Sequence, residues 1–213
     1  DNNNNNNHNN DNDDDYDISQ ENRKRKKRRS PKARNNSSNS SNSNTTQSLS
    51  SSSSSPLEIA LPTPLKRKLI TDWENITKKH LLIDLPRKKE ERISEILTDF
   101  EEFSIEQGQD KNIVYEISRG IKDYFNQALQ VTLLYKLERQ QHGNLIAKNK
   151  HLTMDQIYGV EHLCRLFVKL PQLLSPNDLD NDTRKILKDQ IECIIAFVLD
   201  HEKKYFCTQY QKS

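Results

Sequence analysis

The feature that most constrains this chain is a change of texture at residue 57. Up to Pro56 the sequence is almost without apolar side chains: an Asn tract from Asn2 to Asn10 broken by His8, an acidic patch from Asp11 to Glu21, a basic run, and a Ser-rich spacer from Ser37 to Ser55. Such a segment cannot bury enough apolar surface to offset the entropy of ordering it, so residues 1–56 are expected to form a disordered arm. Residues 57–213 then make a single domain, of a usual size for one hydrophobic core.

Charge divides along the same boundary. The arm holds nine of the 33 basic and seven of the 31 acidic residues, which leaves 24 of each in the remainder. A neutral domain is a poor phosphate binder, because nucleic-acid affinity rests on a basic surface. The positive charge is concentrated in Arg23, Lys24, Arg25, Lys26, Lys27, Arg28 and Arg29, followed by Ser30-Pro31-Lys32. A run of this class fits a nuclear-localisation signal; it also fits a polybasic contact with nucleic acid. A phosphate on Ser30 would put negative charge beside the run and weaken it. The three cysteines, Cys164, Cys193 and Cys207, form no CxxC pair and have no His at zinc spacing, so they are expected to be reduced, buried thiols on apolar helix faces of an intracellular protein. No run of eighteen apolar residues could span a membrane, and no secretory signal is visible.

From Leu57 onward the apolar residues recur at helical spacing. Leu61-Pro62 and Pro64 read as an extended lead-in, because proline biases the residue before it away from helix. Leu65, Leu69, Ile70, Trp73 and Ile76 are expected to share one stripe, and Ile93, Ile96, Leu97, Phe100 and Phe103 a second. Gly108 and Asp110 mark a break. The spacing then predicts one long, central helix from about Ile113 to Glu138, ending near Tyr135 and Leu137. Gln140–Lys150 reads as a polar loop, and Thr153 with Gln156 as a capping box. Leu163, Leu166, Phe167 and Leu170 share a face of the next helix, which Pro171 kinks or ends. Ser175-Pro176-Asn177 reads as a turn. Asp180 or Asp182 can cap a last helix carrying Ile186, Leu187, Ile191, Ile194, Ile195, Val198 and Leu199. With little period-two alternation and only four glycines, the expected fold is all-α: one orthogonal or bundled domain of about five or six helices.

Reactive chemistry is hard to find. There is no Gly-rich phosphate loop, GxSxG elbow or HExxH, and no motif that calls for a metal or other cofactor. His142, His151 and His162 are scattered, and His162 reads as a partly buried helix histidine rather than a catalytic one. Glu101, Glu102, Asp178, Asp180 and Asp182 read as solvated charge. Short basic patches at Lys66-Arg67-Lys68 and Arg87-Lys88-Lys89 are offset by nearby acidic residues and do not make a groove-reading helix. Trp73 and Tyr135 are large amphipathic aromatics of the kind that anchor binding surfaces; aromatic stripes at helical spacing are mostly core packing, and pattern does not separate the two roles.

Four blocks carry a resemblance: LITDWENI (69–76), GIKDYFNQAL (120–129), LLYKLER (133–139) and QIYGVEHLCRLFVKLP (156–171). In this order and spacing, over about residues 61–205, the chain resembles the MRG (mortality-factor-related) domain, and its Asn- and Ser-rich arm resembles that of a fungal-type member. The resemblance implies an all-α docking module, not an enzyme. It implies a nuclear scaffold that recruits protein subunits of histone acetyltransferase and histone deacetylase complexes through short apolar peptide motifs. The chromo domain that members usually carry at the N-terminus is absent from this sequence. Carried over position by position, the family's partner groove implies Leu61, Ile70, Trp73, Tyr135, Val168 and Lys169, with His162 and Arg165 along its rim. Lys169 stands where some members have arginine, which keeps the charge and loses the planar fork. The competing reading is a nucleic-acid binder working through the basic arm, which would differ by a steep dependence on salt.

Overall fold

The computed structural model describes residues 57–174 and 179–212. The expected disordered arm, its basic run and the expected turn at Ser175-Pro176-Asn177 lie outside the described residues. Among the described residues there are seven α-helices and one two-stranded ribbon: α1 (Thr63–Thr77), β1 (Leu81–Ile83), α2 (Ile93–Glu106), α3 (Lys111–Ala128), α4 (Lys136–Lys148), α5 (Val160–Leu173), α6 (Asn181–Asp200), α7 (Glu202–Tyr205) and β2 (Tyr210–Lys212). The class is all-α, as expected. The count exceeds the expected five or six because one expected helix is divided and α7 is a single turn.

Local chemistry sets the helix starts. Pro64 lies in the first turn of α1, where its missing N–H has no intrahelical partner to lose. Asp110 accepts from the amides of Asn112 at 2.8 Å and Ile113 at 3.3 Å, and so caps α3. Asp180 does the same for α6, accepting from Asp182 at 3.0 Å and Thr183 at 2.9 Å. Gly108 turns the chain between α2 and α3 with φ of 82°, a conformation that side chains disfavour. The Gln156 side chain accepts from the Thr153 amide at 3.2 Å around a single 3-10 turn, Met154–Gln156. Pro171 sits inside the last turn of α5, which ends at Leu173.

The core is built on α5. All eight residues from Val160 to Phe167 are buried, so the first two turns of this helix are covered on every side. Around it pack Ile93, Ile96, Leu97 and Phe100 of α2, Val114, Ile121 and Phe125 of α3, and Ile191, Ile194, Ile195 and Val198 of α6. The central helix is therefore α5 and not the expected Ile113–Glu138 helix. That helix is itself in pieces: α3 ends at Ala128, a π-type turn spans Leu129–Leu133, and Leu134 and Tyr135 are extended (ψ 131° and 160°) before α4 begins.

The expected loop from Gln140 to Lys150 is mostly α4. Its inward residues are Glu138, His142 and Leu145, so two of the three positions that mark its buried face are polar and no apolar stripe shows in the sequence. The expected stripe on α1 also divides. Leu65 and Ile76 face the core together with the buried Asp72 and Asn75, whereas Ile70 and Trp73 are exposed. Phe103 and Ile186, expected on buried stripes, are exposed as well.

After α7 the chain returns to the segment that follows α1. β2 pairs antiparallel with β1, with Leu81 opposite Lys212 and Ile83 opposite Tyr210. Of the cysteines only Cys164 is buried; Cys193 and Cys207 are half-buried, and Cys207 lies in the coil between α7 and β2 rather than on a helix.

Candidate functional site

Beneath the surface where α1, α4 and α5 meet, four ionisable side chains are brought together: Asp72, Glu138, His162 and Arg165, none more than 5% exposed. Arg165 is the hub. Its Nε and Nη2 donate to Asp72 Oδ2 at 3.0 and 2.6 Å, and its Nη1 and Nη2 donate to the two Glu138 oxygens at 2.7 and 3.1 Å. His162 Nε2 stands 2.8 Å from Glu138 Oε1; a carboxylate only accepts, so Nε2 carries the proton. Tyr210 donates its hydroxyl to Asp72 Oδ1 at 3.0 Å.

This cluster explains the break in the long apolar run. Leaving the helix at Leu134 frees the Leu133 carbonyl and the Tyr135 amide, and a buried backbone group needs a partner. Arg165 Nη1 donates to the Leu133 carbonyl at 3.1 Å, and the Tyr135 N–H donates to Glu138 Oε2 at 2.8 Å. Burial by itself would raise the Glu138 pKa, but the charges and hydrogen bonds of His162 and Arg165 outweigh it and hold the carboxyl down at about 2. For Arg165, desolvation is likewise outweighed by Glu138 and Asp72, which push its pKa still higher. Behind His162, the Tyr158 ring meets it edge-on at 4.6 Å, and the Tyr158 hydroxyl lies 2.9 Å from His142 Nδ1. Burial, with the charges of His162 and Arg139, lowers the His142 pKa. Among the described residues no three His, Cys, Asp or Glu side chains are placed to hold a metal ion.

The surface above is apolar. The Tyr135 ring covers the guanidinium of Arg165 at 4.2 Å, a cation–π contact that fixes the ring over a charge already held from below. On one side of Tyr135 is a depression of about 150 Å³ walled by Leu69, Leu133, Val168 and Lys169. On the other is one of about 400 Å³ walled by Ile76, Thr77, His80, Lys136, Leu137 and Gln140. Trp73 lies one turn of α1 from Leu69 and one turn from Thr77, alongside both depressions. It is 42% exposed, with the Lys78 ammonium 4.8 Å from its ring. Ile70 is 57%, Val131 77% and Val168 39% exposed. Large apolar side chains crowded on one face mark an interaction surface more often than scattered ones do.

Of the expected groove residues, Tyr135, Val168 and Lys169 line the smaller depression, whereas Ile70 and Trp73 are exposed on α1 and line neither. Arg165 is the floor of the smaller depression rather than its rim. His162 is a correction: instead of rimming the groove it points inward to Glu138 and Tyr158, and it is wholly rather than partly buried. Leu61 is half-buried against the core ahead of α1 and lines neither depression. Sequence reasoning missed Leu69 and Leu133 in the wall of the smaller depression, and Asp72, Glu138 and Tyr210 below it. Asp72 did leave a signal, because it sits between Leu65 and Ile76 at the spacing of buried positions on α1.

The family model described as MRG matches residues 26–212. The chain is 40% identical over 157 residues to "Chromatin modification-related protein EAF3" of Yarrowia lipolytica, an alignment covering 70% of this chain and 40% of the relative. It is 38% identical over 154 residues to "NuA4 complex subunit EAF3 homolog" of Dictyostelium discoideum, covering 72% and 39%. To "Mortality factor 4-like protein 1" of Rattus norvegicus it is 33% identical over 153 residues, covering 70% and 47%. The chain spans less than half the length of these relatives.

Proposed function

Because this chain belongs to the MRG family, we propose that its helical domain is a non-catalytic docking module with a chromatin-regulatory role in the nucleus. It seats short apolar peptide segments of partner subunits in the groove around Tyr135, within histone acetyltransferase and histone deacetylase assemblies. The names of the relatives, one a chromatin-modification protein and one a complex subunit, support this reading.

The observation that carries the proposal is an aromatic ring, Tyr135, fixed by a buried ion-pair cluster and lining two depressions, with Val168 exposed in the wall of one and Trp73 exposed on the adjoining helix α1. Burying two or three apolar anchors there yields roughly 1.5–3 kcal/mol each before the cost of ordering the peptide. A preset floor keeps that cost low on the domain's side, so micromolar to nanomolar affinity follows without a large interface.

Affinity purification of the full chain and its Trp73→Ala variant from nuclear extract, with partners identified by mass spectrometry, tests this. Acetyltransferase and deacetylase subunits should come down with the normal chain and be lost with the variant. The helix content of the variant should be unchanged, since Trp73 is exposed. Binding only to nucleic acid, equal for both chains and falling steeply with salt, would overturn the docking reading in favour of the basic run.

A further inference from the structure

We infer that the groove selects an acidic peptide: one whose apolar anchors enter the depressions on both sides of Tyr135 and whose carboxylates flank those anchors. This rests on the docking reading and gives the partner its chemistry.

None of the residues lining the two depressions carries a carboxylate. Each depression has a lysine in its wall, Lys169 in one and Lys136 in the other. Lys66 stands one turn before Ile70 on the same side of α1, and it is exposed. Six lysines among the described residues of this domain are paired with a carboxylate, among them Lys68–Glu202 at 3.0 Å, Lys78–Glu74 at 2.9 Å and Lys204–Asp99 at 2.6 Å. Among the described residues, Lys66, Lys136 and Lys169 have no such partner. The carboxylates nearest the groove are already engaged: Glu74 by Lys78, and Asp72 and Glu138 by Arg165 and by donors from Tyr210, Tyr135 and His162. A domain with equal numbers of acidic and basic residues beyond its arm therefore presents an unbalanced positive rim around its most exposed apolar side chains.

Such a rim steers and selects carboxylates, while the apolar floor supplies most of the affinity. Because Tyr135 lines both depressions, a peptide that crosses its ring meets an apolar wall and a lysine on each side. A second copy of this chain is a poor occupant, because a two-fold contact through this face would set the lysines against their own symmetry mates.

Selection of random peptides displayed on phage, against the full chain, tests the inference. Three targets are used in parallel: the normal chain, Lys136→Glu with Lys169→Glu, and Trp73→Ala. The expected result is a set of peptides pairing apolar residues with Asp or Glu on the normal chain. The charge-reversed chain should return the same apolar residues without the acidic excess. A synthetic copy of a selected peptide should bind it roughly five- to ten-fold more weakly at moderate salt. An acidic excess that persists on the charge-reversed chain belongs to the basic arm and overturns the inference. Apolar peptides with no acidic excess on the normal chain also overturn it, and leave docking intact. If Trp73→Ala returns the same peptides as the normal chain, the docking reading itself fails and this inference falls with it.

Discussion

Replacing Arg165 by methionine tests the foundation of the groove. Methionine fills much of the same volume and removes only the charge and the donors. Asp72 would lose two hydrogen bonds, Glu138 two, and the Leu133 carbonyl its one. Two carboxylates, both nearly inaccessible to water, would then face each other's charge with no cation between them. Removing one partner from a buried ion pair costs about 3–5 kcal/mol, mostly from the charge left behind. For a domain of this size that corresponds to a fall in Tm of roughly 6–20 °C. The assay is urea unfolding of both chains followed by circular dichroism, repeated from neutral pH down to about pH 3. The pH dependence has a fixed sign. In the normal chain Glu138 has a depressed pKa, so its contribution is complete above the unfolded value near 4.5 and is lost as pH falls toward about 2. In the variant the same carboxyl is buried without its cation, so its pKa rises and protonation relieves the penalty. The gap between the two chains should narrow as pH falls below about 5. A deficit under about 1 kcal/mol at neutral pH, or one that does not change with pH, would refute the claim that these charges depend on Arg165.

Other consequences can be measured more simply. Gly159→Ala would place a Cβ 3.0 Å from Arg87 Nε and 3.1 Å from the Glu91 carbonyl, and should lower the urea midpoint by the equivalent of about 1–3 kcal/mol; an unchanged midpoint would mean that this corner yields freely. Asp180→Ala removes the cap of α6 and should cost about 1 kcal/mol in the same assay. A thiol-reactive aromatic disulfide should label Cys193 and Cys207 in the folded chain and reach Cys164, whose pKa burial pushes up, only in denaturant; equal labelling rates at all three would contradict the packing of α5.

The helical class, the break at Gly108 and Asp110, the cap at Asp180 and most of the apolar faces of α2, α5 and α6 could be read from spacing, because each depends on residues within one or two turns of each other. The break at Tyr135 could not. Leu129, Leu133 and Leu134 stay buried right up to it and Leu137 is half-buried beyond it, so the apolar rhythm passes through without a fault, while the groups that make the break stable come from residue 165 and from Glu138. α4 was hidden because polar side chains occupy its inner face. The position of His162 was misjudged for a related reason: where a helix is covered all round, spacing says that a residue is buried but not which neighbour it faces. Tyr135, Val168 and Lys169 were named through family resemblance; the ion-pair cluster beneath them was visible by neither route, since its members come from residues 72, 138, 165 and 210.

That last member makes the domain's order of manufacture matter. A chain emerging from the ribosome can form α1 and later α4 and α5, bringing Asp72, Glu138 and Arg165 together. Asp72 Oδ1 still waits for the hydroxyl of Tyr210, and β1 has no pairing edge until residues 210–212 arrive. A nascent chain halted before that point would display its apolar rim above an unfinished base. Partners that need the completed groove would thus be admitted only after residues 210–212 have been translated.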